Sequence, residues 1–279
     1  MNGEPERRPD EPPWRLWTLP VVLAVGLAIW IVAIAIVRVG AHAGGSSLAH
    51  PTPAVTIALN LAFDLSFVIA TAYLTMVQGR ARPADFGFRR VRPSLAVGAF
   101  MAAAILYYVG TWTYAAIFQL HGKDKLPSDL GVNKSTTALI LAAMFVCVVA
   151  PIAEEFFFRG FVFGALRRVR IEIAGRELGT LFAAVTTGIL FGLVHAGSAS
   201  PQFLVPLGFL GFVLCLLRWR TRSLYPCMAL HSFNNSLALG INELSWSAGG
   251  ILGLIAASML VIAVITGPLS RPAARPAGV

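Results

Sequence analysis

The sequence predicts an all-α protein, a polytopic transmembrane helix bundle of about eight spans with both termini in the cytoplasm. Three observations predict this fold: an apolar composition, eight long hydrophobic runs and a one-sided distribution of positive charge. Of the 279 residues, 57% are hydrophobic and only 13% are charged, whereas a soluble domain carries roughly 25% charged residues. The three cysteines all lie within apolar runs. The composition therefore excludes a soluble enzyme, a disordered protein and a disulfide-linked scaffold.

Eight hydrophobic runs are long enough, at about 20 residues, to cross a bilayer as helices. They cover Leu16–Val37, Ala54–Gln78, Ser94–Leu120, Ser135–Leu166, Gly179–Ala196, Pro201–Leu217, Ser223–Ile241 and Trp246–Thr266. The fourth run is too long for one straight span and contains Pro151, which predicts a long helix that is kinked or broken. The runs define a single transmembrane domain at 16–266, and the proline-rich stretches 1–15 and 267–279 are predicted to be flexible tails.

Positive charge is distributed unevenly over the connections between these runs. Seventeen of the 22 Lys and Arg residues fall on one side of the eight-span arrangement and four on the other, and Arg159 lies inside the fourth run. Because cytoplasmic loops of membrane proteins carry an excess of Lys and Arg, this asymmetry places both termini in the cytoplasm. The net charge of +9 is therefore interpreted as a consequence of topology. We expect a multi-pass protein of the plasma (inner) membrane, with the bilayer and no nucleic acid as its partner.

Ionisable residues inside a span are costly, at roughly 2.5–3.5 kcal/mol on insertion scales, and are functional candidates by default. The first cluster of them is Glu154, Glu155 and Arg159 in the fourth run. Glu155 and Arg159 are four residues apart, so on a helix they share a face and can pair. Glu154 is rotated by about 100° and points elsewhere, which leaves it free for chemistry. The alternative interpretation is a helix end at the interface, where these charges meet lipid headgroups.

Two further polar clusters lie on later runs. His195 follows Phe191 by four residues, and His231 precedes Asn235 by four, so the last two share a helical face. The alternatives are an interfacial histidine that is merely solvated and a His–Asn pair that joins helices by hydrogen bonds. Counted along their helices from the predicted cytoplasmic side, all three clusters lie at comparable depths. A shared intramembrane site accounts for this coincidence better than three independent structural roles.

These motifs, EExxxR (Glu154, Glu155, Arg159), FxxxH (Phe191, His195) and HxxxN (His231, Asn235), resemble the signature of the CPBP family. That family comprises type II CAAX prenyl endopeptidases and the bacteriocin-processing and self-immunity proteins often called Abi. The order, spacing and placement of the motifs agree with it, and the resemblance covers a core at about 136–241. It implies intramembrane or membrane-proximal proteolysis by an endopeptidase.

The resemblance implies a role for each motif residue. Glu154 and His195 would hold and deprotonate the attacking water, and His231 and Asn235 would donate to the oxyanion. Glu155 with Arg159 would orient the site. Family names often include metalloprotease, and Glu154, His195 and His231 are candidate Zn²⁺ ligands. Because the sequence has no HExxH motif, we favour a metal-free mechanism and keep zinc as an option; no other cofactor is indicated.

Other function classes stay open at this point. A transporter or permease could use the buried Glu and His residues as a proton relay, but no inverted repeat or pair of broken helices supports one. A non-catalytic membrane scaffold is the third class. Asp64, in the second run, is expected either to pair with Arg159 or to face a water-filled opening. We expect a membrane-associated protein or peptide substrate. The preference for Arg over Lys is typical of a high-GC bacterium, in which prenylated proteins are not expected, but the sequence does not determine whether the substrate carries a prenyl group.

Overall fold

The computed structural model describes residues 12–43, 46, 51–79, 81–120 and 126–270, which form α-helices with one small hairpin. The helices are α1 (Thr18–Ala43), α2 (Pro53–Gly79), α3 (Pro83–Phe86), α4 (Pro93–Phe118), α5 (Leu126–Asp129), α6 (Thr136–Met144), α7 (Ala150–Glu154), α8 (Phe163–Leu166), α9 (Gly179–Val194), α10 (Leu204–Thr221), α11 (Tyr225–Leu237) and α12 (Ala248–Thr266). Wider π-helical segments lie at Phe145–Val149, Glu155–Val162 and Ala238–Glu243, and 3₁₀ turns lie at Pro201–Phe203 and Gly267–Ser270. The strands β1 (Glu172–Ile173) and β2 (Arg176–Glu177) pair in antiparallel fashion between α8 and α9.

Every predicted hydrophobic run is helical, which confirms an all-α polytopic bundle. Six helices of the described chain are long and apolar enough to cross a membrane. The fifth run forms a helix of 16 residues, which at 1.5 Å per residue falls short of a hydrocarbon core of about 30 Å. The seventh run forms α11, which continues into the π-helical segment Ala238–Glu243 and is not among the six. The span count of eight and the cytoplasmic placement of both termini therefore stay predictions.

The fourth run is one helical stretch, Thr136–Leu166, in which α6, α7 and α8 alternate with two π-helical segments. The predicted irregularity is thus present as a widening of the helix at Phe145–Val149 and Glu155–Val162.

Apolar side chains cover the outside of the bundle and polar ones lie inside it. Ile36 on α1 and Leu260 on α12 are 68% and 65% exposed, whereas Glu155, Arg159 and Ser232 are fully buried. In water this arrangement would be unfavourable, but it is the one that lipid stabilises, because a polar group facing hydrocarbon has no partner. The fold therefore concentrates its polar chemistry at the centre.

The first ordered contacts begin before the first helix. Trp14 is 1% exposed and its ring stacks on Phe86 at a centroid distance of 4.6 Å. Arg168 donates hydrogen bonds to the backbone carbonyls of Pro12 and Trp14. Trp14 falls within the stretch 1–15 that is predicted to be flexible, and it is held by aromatic packing that sequence composition does not reveal. The stretches 1–11 and 271–279 lie outside the described residues.

Helices α9 and α10 approach each other closely because glycines line their contact. A Cβ atom at Gly188 would lie 2.8 Å from the carbonyl oxygen of Gly208, and one at Gly192 would lie 2.7 Å from the carbonyl oxygen of Leu204. Small residues permit such backbone contact between membrane helices. The packing fixes the position of α9, which ends at Val194, immediately before His195.

Candidate active site

Three separate parts of the bundle bring the six predicted site residues together. Glu154 ends α7, and Glu155 and Arg159 lie in the π-helical segment that follows it. His195 is the C-terminal cap of α9, and α11 carries His231 and Asn235.

Pro151 explains how α11 is joined to the helix that carries Glu154. A proline has no N–H, so the carbonyl of Cys147, four residues earlier, has no α-helical donor. The N–H of Ala150 bonds to the carbonyl of Phe145, which leaves the carbonyl of Val146 without its α-helical donor as well.

Two side chains of α11 supply the missing donors. Ser232 Oγ donates to the carbonyl of Cys147 at 2.7 Å, and Asn235 Nδ2 donates to the carbonyl of Val146 at 2.8 Å. The irregular backbone around Pro151 thus becomes the binding surface for the helix that carries His231.

Glu155 and Arg159 form a buried ion pair, as their spacing predicts. Arg159 Nη1 donates to Glu155 Oε1 at 2.9 Å, and both side chains have 0% exposure. Arg159 Nη2 also donates to the carbonyl of Gly211 at 3.2 Å, and its guanidinium lies 4.2 Å from the centre of the Phe191 ring. Because a buried charge is tolerated only with partners, this pair is a structural support that holds Glu155 in a fixed position.

Glu154 is placed differently from its neighbour. Its Oε2 atom lies 4.0 Å from His195 Nε2 and 3.8 Å from His231 Nε2, and it has no hydrogen-bond partner. Both histidines therefore face one carboxylate oxygen that is free to bind something else. The structure separates the two glutamates as their rotation about the helix predicts.

The hydrogen bonds of the two histidines determine which nitrogen faces Glu154 with a lone pair. His195 Nδ1 lies 2.7 Å from the carbonyl of Phe191, and because a carbonyl only accepts, Nδ1 carries the hydrogen. His231 Nδ1 lies 2.8 Å from Glu155 Oε1, and we assign it a hydrogen for the same reason. In the neutral rings, both Nε2 atoms are then acceptors, and either becomes a donor only when its ring is protonated.

Phe191 has three contacts at the centre of the site. Its backbone carbonyl bonds to His195, and its ring lies 4.8 Å from the His195 ring and 5.7 Å from the His231 ring, between centroids. The same ring faces Arg159. These contacts explain in physical terms why an aromatic residue precedes His195 by four positions.

Asn235 is part of a chain of hydrogen bonds that reaches α4. Tyr108 Oη donates to Asn234 Oδ1 at 3.3 Å, and Asn234 Nδ2 donates to Asn235 Oδ1 at 3.3 Å. One hydrogen of the Asn235 amide goes to the carbonyl of Val146, and the second is left for a ligand. The sequence motifs include neither Tyr108 nor Asn234, and the only available signal was that Asn234 is an amide beside Asn235.

A cavity of about 710 Å³ opens at this cluster. Glu154, His195, His231 and Asn235 line it, whereas Glu155 and Arg159 lie behind its wall. Its size is that of a pocket for a peptide segment or a drug-sized molecule.

Asp64 of α2 lines the same cavity. The expectation that it pairs with Arg159 is wrong, because Arg159 is bonded to Glu155 and to the carbonyl of Gly211, and Asp64 Oδ2 has no hydrogen-bond partner. The other expectation, that Asp64 faces an opening, agrees with its position in the cavity wall.

The spacing of Glu154, His195 and His231 does not fit a zinc site. A tetrahedral Zn²⁺ about 2.1 Å from each ligand atom holds them about 109° apart. At the distances of 3.8 and 4.0 Å, the angle at such an ion would be roughly 130–145°. Among the described residues, no group of three or more His, Cys, Asp or Glu side chains is spaced to hold a metal ion. No step of the mechanism below therefore uses one.

Comparison with known proteins supports the resemblance for one segment of the chain. A family model described as Type II CAAX prenyl endopeptidase Rce1-like matches residues 136–237, which run from the start of α6 to the end of α11 and include all six site residues. No curated protein and no solved structure matches the chain. The match confirms the resemblance drawn from the motifs: residues 136–237 are similar to the Rce1-like family of membrane-embedded CAAX proteases.

Proposed function

We propose that the chain is an endopeptidase that hydrolyses a peptide bond of a membrane-associated protein or peptide inside its intramembrane cavity. The observation that carries this proposal is the convergence of three acceptor atoms, Glu154 Oε2, His195 Nε2 and His231 Nε2, on one point of the cavity wall. Acceptors without a donor between them form a binding site for a molecule that donates twice. Water is such a molecule.

The distances suit a bound water. If a water oxygen lies about 2.8 Å from Glu154 Oε2 and from one histidine nitrogen, the angle between the two acceptors at the water oxygen is roughly 85–90°. That angle is near the H–O–H angle of water, so one molecule can donate to both atoms. In this proposal the water donates one hydrogen to Glu154 and the other to His195, which orients its lone pairs toward the cavity.

Glu154 then acts as the general base. As the water oxygen bonds to the substrate carbonyl carbon, its proton passes to Glu154 Oε2, and a tetrahedral intermediate forms. The C–N bond breaks when Glu154 returns that proton to the leaving amine nitrogen. The carboxyl product and the amine product account for all atoms of the water and the peptide.

Donors near Glu154 stabilise the negative charge that develops on the substrate oxygen. The free hydrogen of the Asn235 amide is one donor, and Nε2 of His231 is the second when the ring is protonated. Glu155 and Arg159 act through His231, because Glu155 Oε1 holds its Nδ1 and Arg159 holds Glu155. They are positioning residues in this proposal. We also place the enzyme in the plasma membrane, in keeping with the distribution of positive charge.

The test is a cleavage assay in liposomes with a panel of membrane-anchored, internally quenched peptides of mixed sequence. Glu154→Gln removes the base and keeps the shape of the side chain, so we expect cleavage to fall roughly 10²–10⁴-fold. Glu172→Gln, which changes an exposed carboxylate on β1, is the matched control and should cleave as the unmodified protein does. Equal cleavage by both variants would exclude Glu154 as the base.

A further inference from the structure

Asp64 is a buried acid that has no role in the proposed mechanism. It is 8% exposed, it lies on α2 outside the matched segment 136–237, and its Oδ2 atom has no hydrogen-bond partner. Since an unpaired carboxylate within a membrane protein is costly, a structure that keeps one facing a cavity points to a partner that arrives from outside.

Among the described residues that line the cavity, no Lys or Arg provides a positive partner for Asp64. Asp64 and Glu154 are the carboxylates in this described lining. Glu155, in contrast, has its charge balanced by Arg159 behind the wall. The described lining therefore contains the carboxylates of Asp64 and Glu154 and the imidazoles of His195 and His231, around a mainly apolar space.

Asn60 extends the acceptor surface beside Asp64. It is one helical turn earlier, so both residues share a face of α2 and both line the cavity. The Asn60 amide donates to the carbonyl of Thr56 at 2.9 Å, which leaves its Oδ1 as an acceptor for a ligand. Two oxygens one turn apart can receive several hydrogens of a single cationic group.

We propose that Asp64, assisted by Asn60, is a specificity subsite that binds a Lys or Arg side chain of the substrate next to the bond that is cleaved. The inference rests on the proposed function and names its substrate class: peptides with a basic residue near the cut. A cationic side chain completes the charge balance of Asp64, whereas an acidic side chain or a free C-terminal carboxylate meets two carboxylates of the same sign. The aliphatic stem of Lys or Arg suits the apolar remainder of the cavity.

The experiment compares matched peptides in liposomes with a metal chelator present throughout. One membrane-anchored quenched peptide has Lys at successive positions around the cut, and its partners have norleucine or Glu at the same position. We expect kcat/KM at one position to favour Lys over norleucine by at least roughly tenfold and to be lowest for Glu. The ratio of kcat/KM for the Lys peptide to that for the norleucine peptide is measured within each variant. A smaller amount of folded protein lowers both values equally and leaves this ratio unchanged.

Variants of Asp64 then test whether this residue recognises the positive charge of the substrate Lys. In Asp64→Asn the ratio of Lys to norleucine cleavage should fall to about one, and in Asp64→Glu, which keeps the charge, part of it should return. Ser66→Ala is the control on the same helix, because its hydroxyl bonds to the carbonyl of Ala62 and it does not line the cavity; it should keep the full ratio.

Binding measured without cleavage separates this inference from the proposed function. The same peptides with a reduced, uncleavable bond are titrated against the protein in nanodiscs, and Lys should bind more tightly than norleucine in the unmodified protein but not in Asp64→Asn. Tighter Lys binding without cleavage of any peptide would retain the subsite and overturn the proposed function. Cleavage without a Lys preference, or a preference that survives in Asp64→Asn, would overturn the subsite alone.

Discussion

His231 Nδ1 and Glu155 Oε1 lie 2.8 Å apart, although the two residues are 76 positions apart in the chain. The same oxygen accepts the hydrogen bond from Arg159 at 2.9 Å. One carboxylate oxygen therefore connects the first motif to the third, and the ring of His231 takes its orientation from an ion pair that never reaches the cavity. The first and third motifs form one hydrogen-bonded unit, and the second contacts it through the ring of Phe191.

Replacement of Arg159 by Met should destabilise the protein strongly. It leaves the fully buried Glu155 without its counter-ion, a change that typically costs about 3–5 kcal/mol. Thermal unfolding in detergent measures the effect. The control variant is Arg176→Met at an exposed position of β2, which should unfold at the same temperature as the unmodified protein. The double variant Glu155→Gln/Arg159→Met should lose less stability than the sum of the two single variants. Strictly additive losses would show that the pair is not coupled.

Ser232→Ala tests the junction at Pro151. The change leaves the carbonyl of Cys147 without its side-chain donor in a buried place, which should cost about 1–3 kcal/mol. Cleavage should fall as well, because α11 carries His231 and Asn235. Ser66→Ala removes a hydroxyl that bonds only within its own helix, and the carbonyl of Ala62 keeps its backbone partner, so the loss there should be smaller. The measurements are the unfolding temperature and the cleavage rate; a larger effect at Ser66 would contradict the assignment.

Gly188→Ala should displace α9 from α10. The added Cβ would lie 2.8 Å from two backbone atoms, the carbonyl oxygen of Gly208 and the nitrogen of Phe212, and backbone gives way less easily than a side chain. Overpacking of this kind costs about 1–3 kcal/mol and should lower cleavage, because α9 positions His195. Gly98→Ala is the control, since nothing lies within 4 Å of a Cβ there. Unfolding and cleavage are recorded for both, and similar results would exclude close packing as the reason for Gly188.

Treatment with a strong chelator should leave cleavage intact. The spacing of the three acceptor atoms suits a water better than a tetrahedral metal ion, and the proposed base is a carboxylate. The measurement is the cleavage rate after prolonged dialysis against chelator, with an established zinc protease in the same liposomes as the positive control. A rate that disappears and returns on addition of Zn²⁺ would replace the metal-free mechanism.

Much of the architecture follows from the sequence because hydrophobicity and local spacing determine it. The apolar runs give the helices, and the separation of four residues gives the Glu155–Arg159 pair. The contacts between distant segments do not follow in this way. Tyr108 is connected to Asn235 only because α4 packs on α11. The N–H of Ala150 bonds to the carbonyl of Phe145 in place of that of Val146, so the carbonyl of Val146 is free in addition to that of Cys147. The sequence shows that Asp64 is an acid within a hydrophobic run, but which residues surround it depends on the orientation of α2.

The carbonyls of Val146 and Cys147 accept hydrogen bonds from α11, because the irregular backbone around Pro151 leaves them without α-helical donors. This junction affects how the protein responds to bilayers of different thickness. Bilayers that differ in thickness change the tilt of membrane helices. The spacing between Glu154 and His231, however, is held by hydrogen bonds from α11 to the turn just before Glu154, and these bonds move with the helix. We therefore expect the hydrolytic geometry to be insensitive to membrane thickness, even where the outer helices adjust to it.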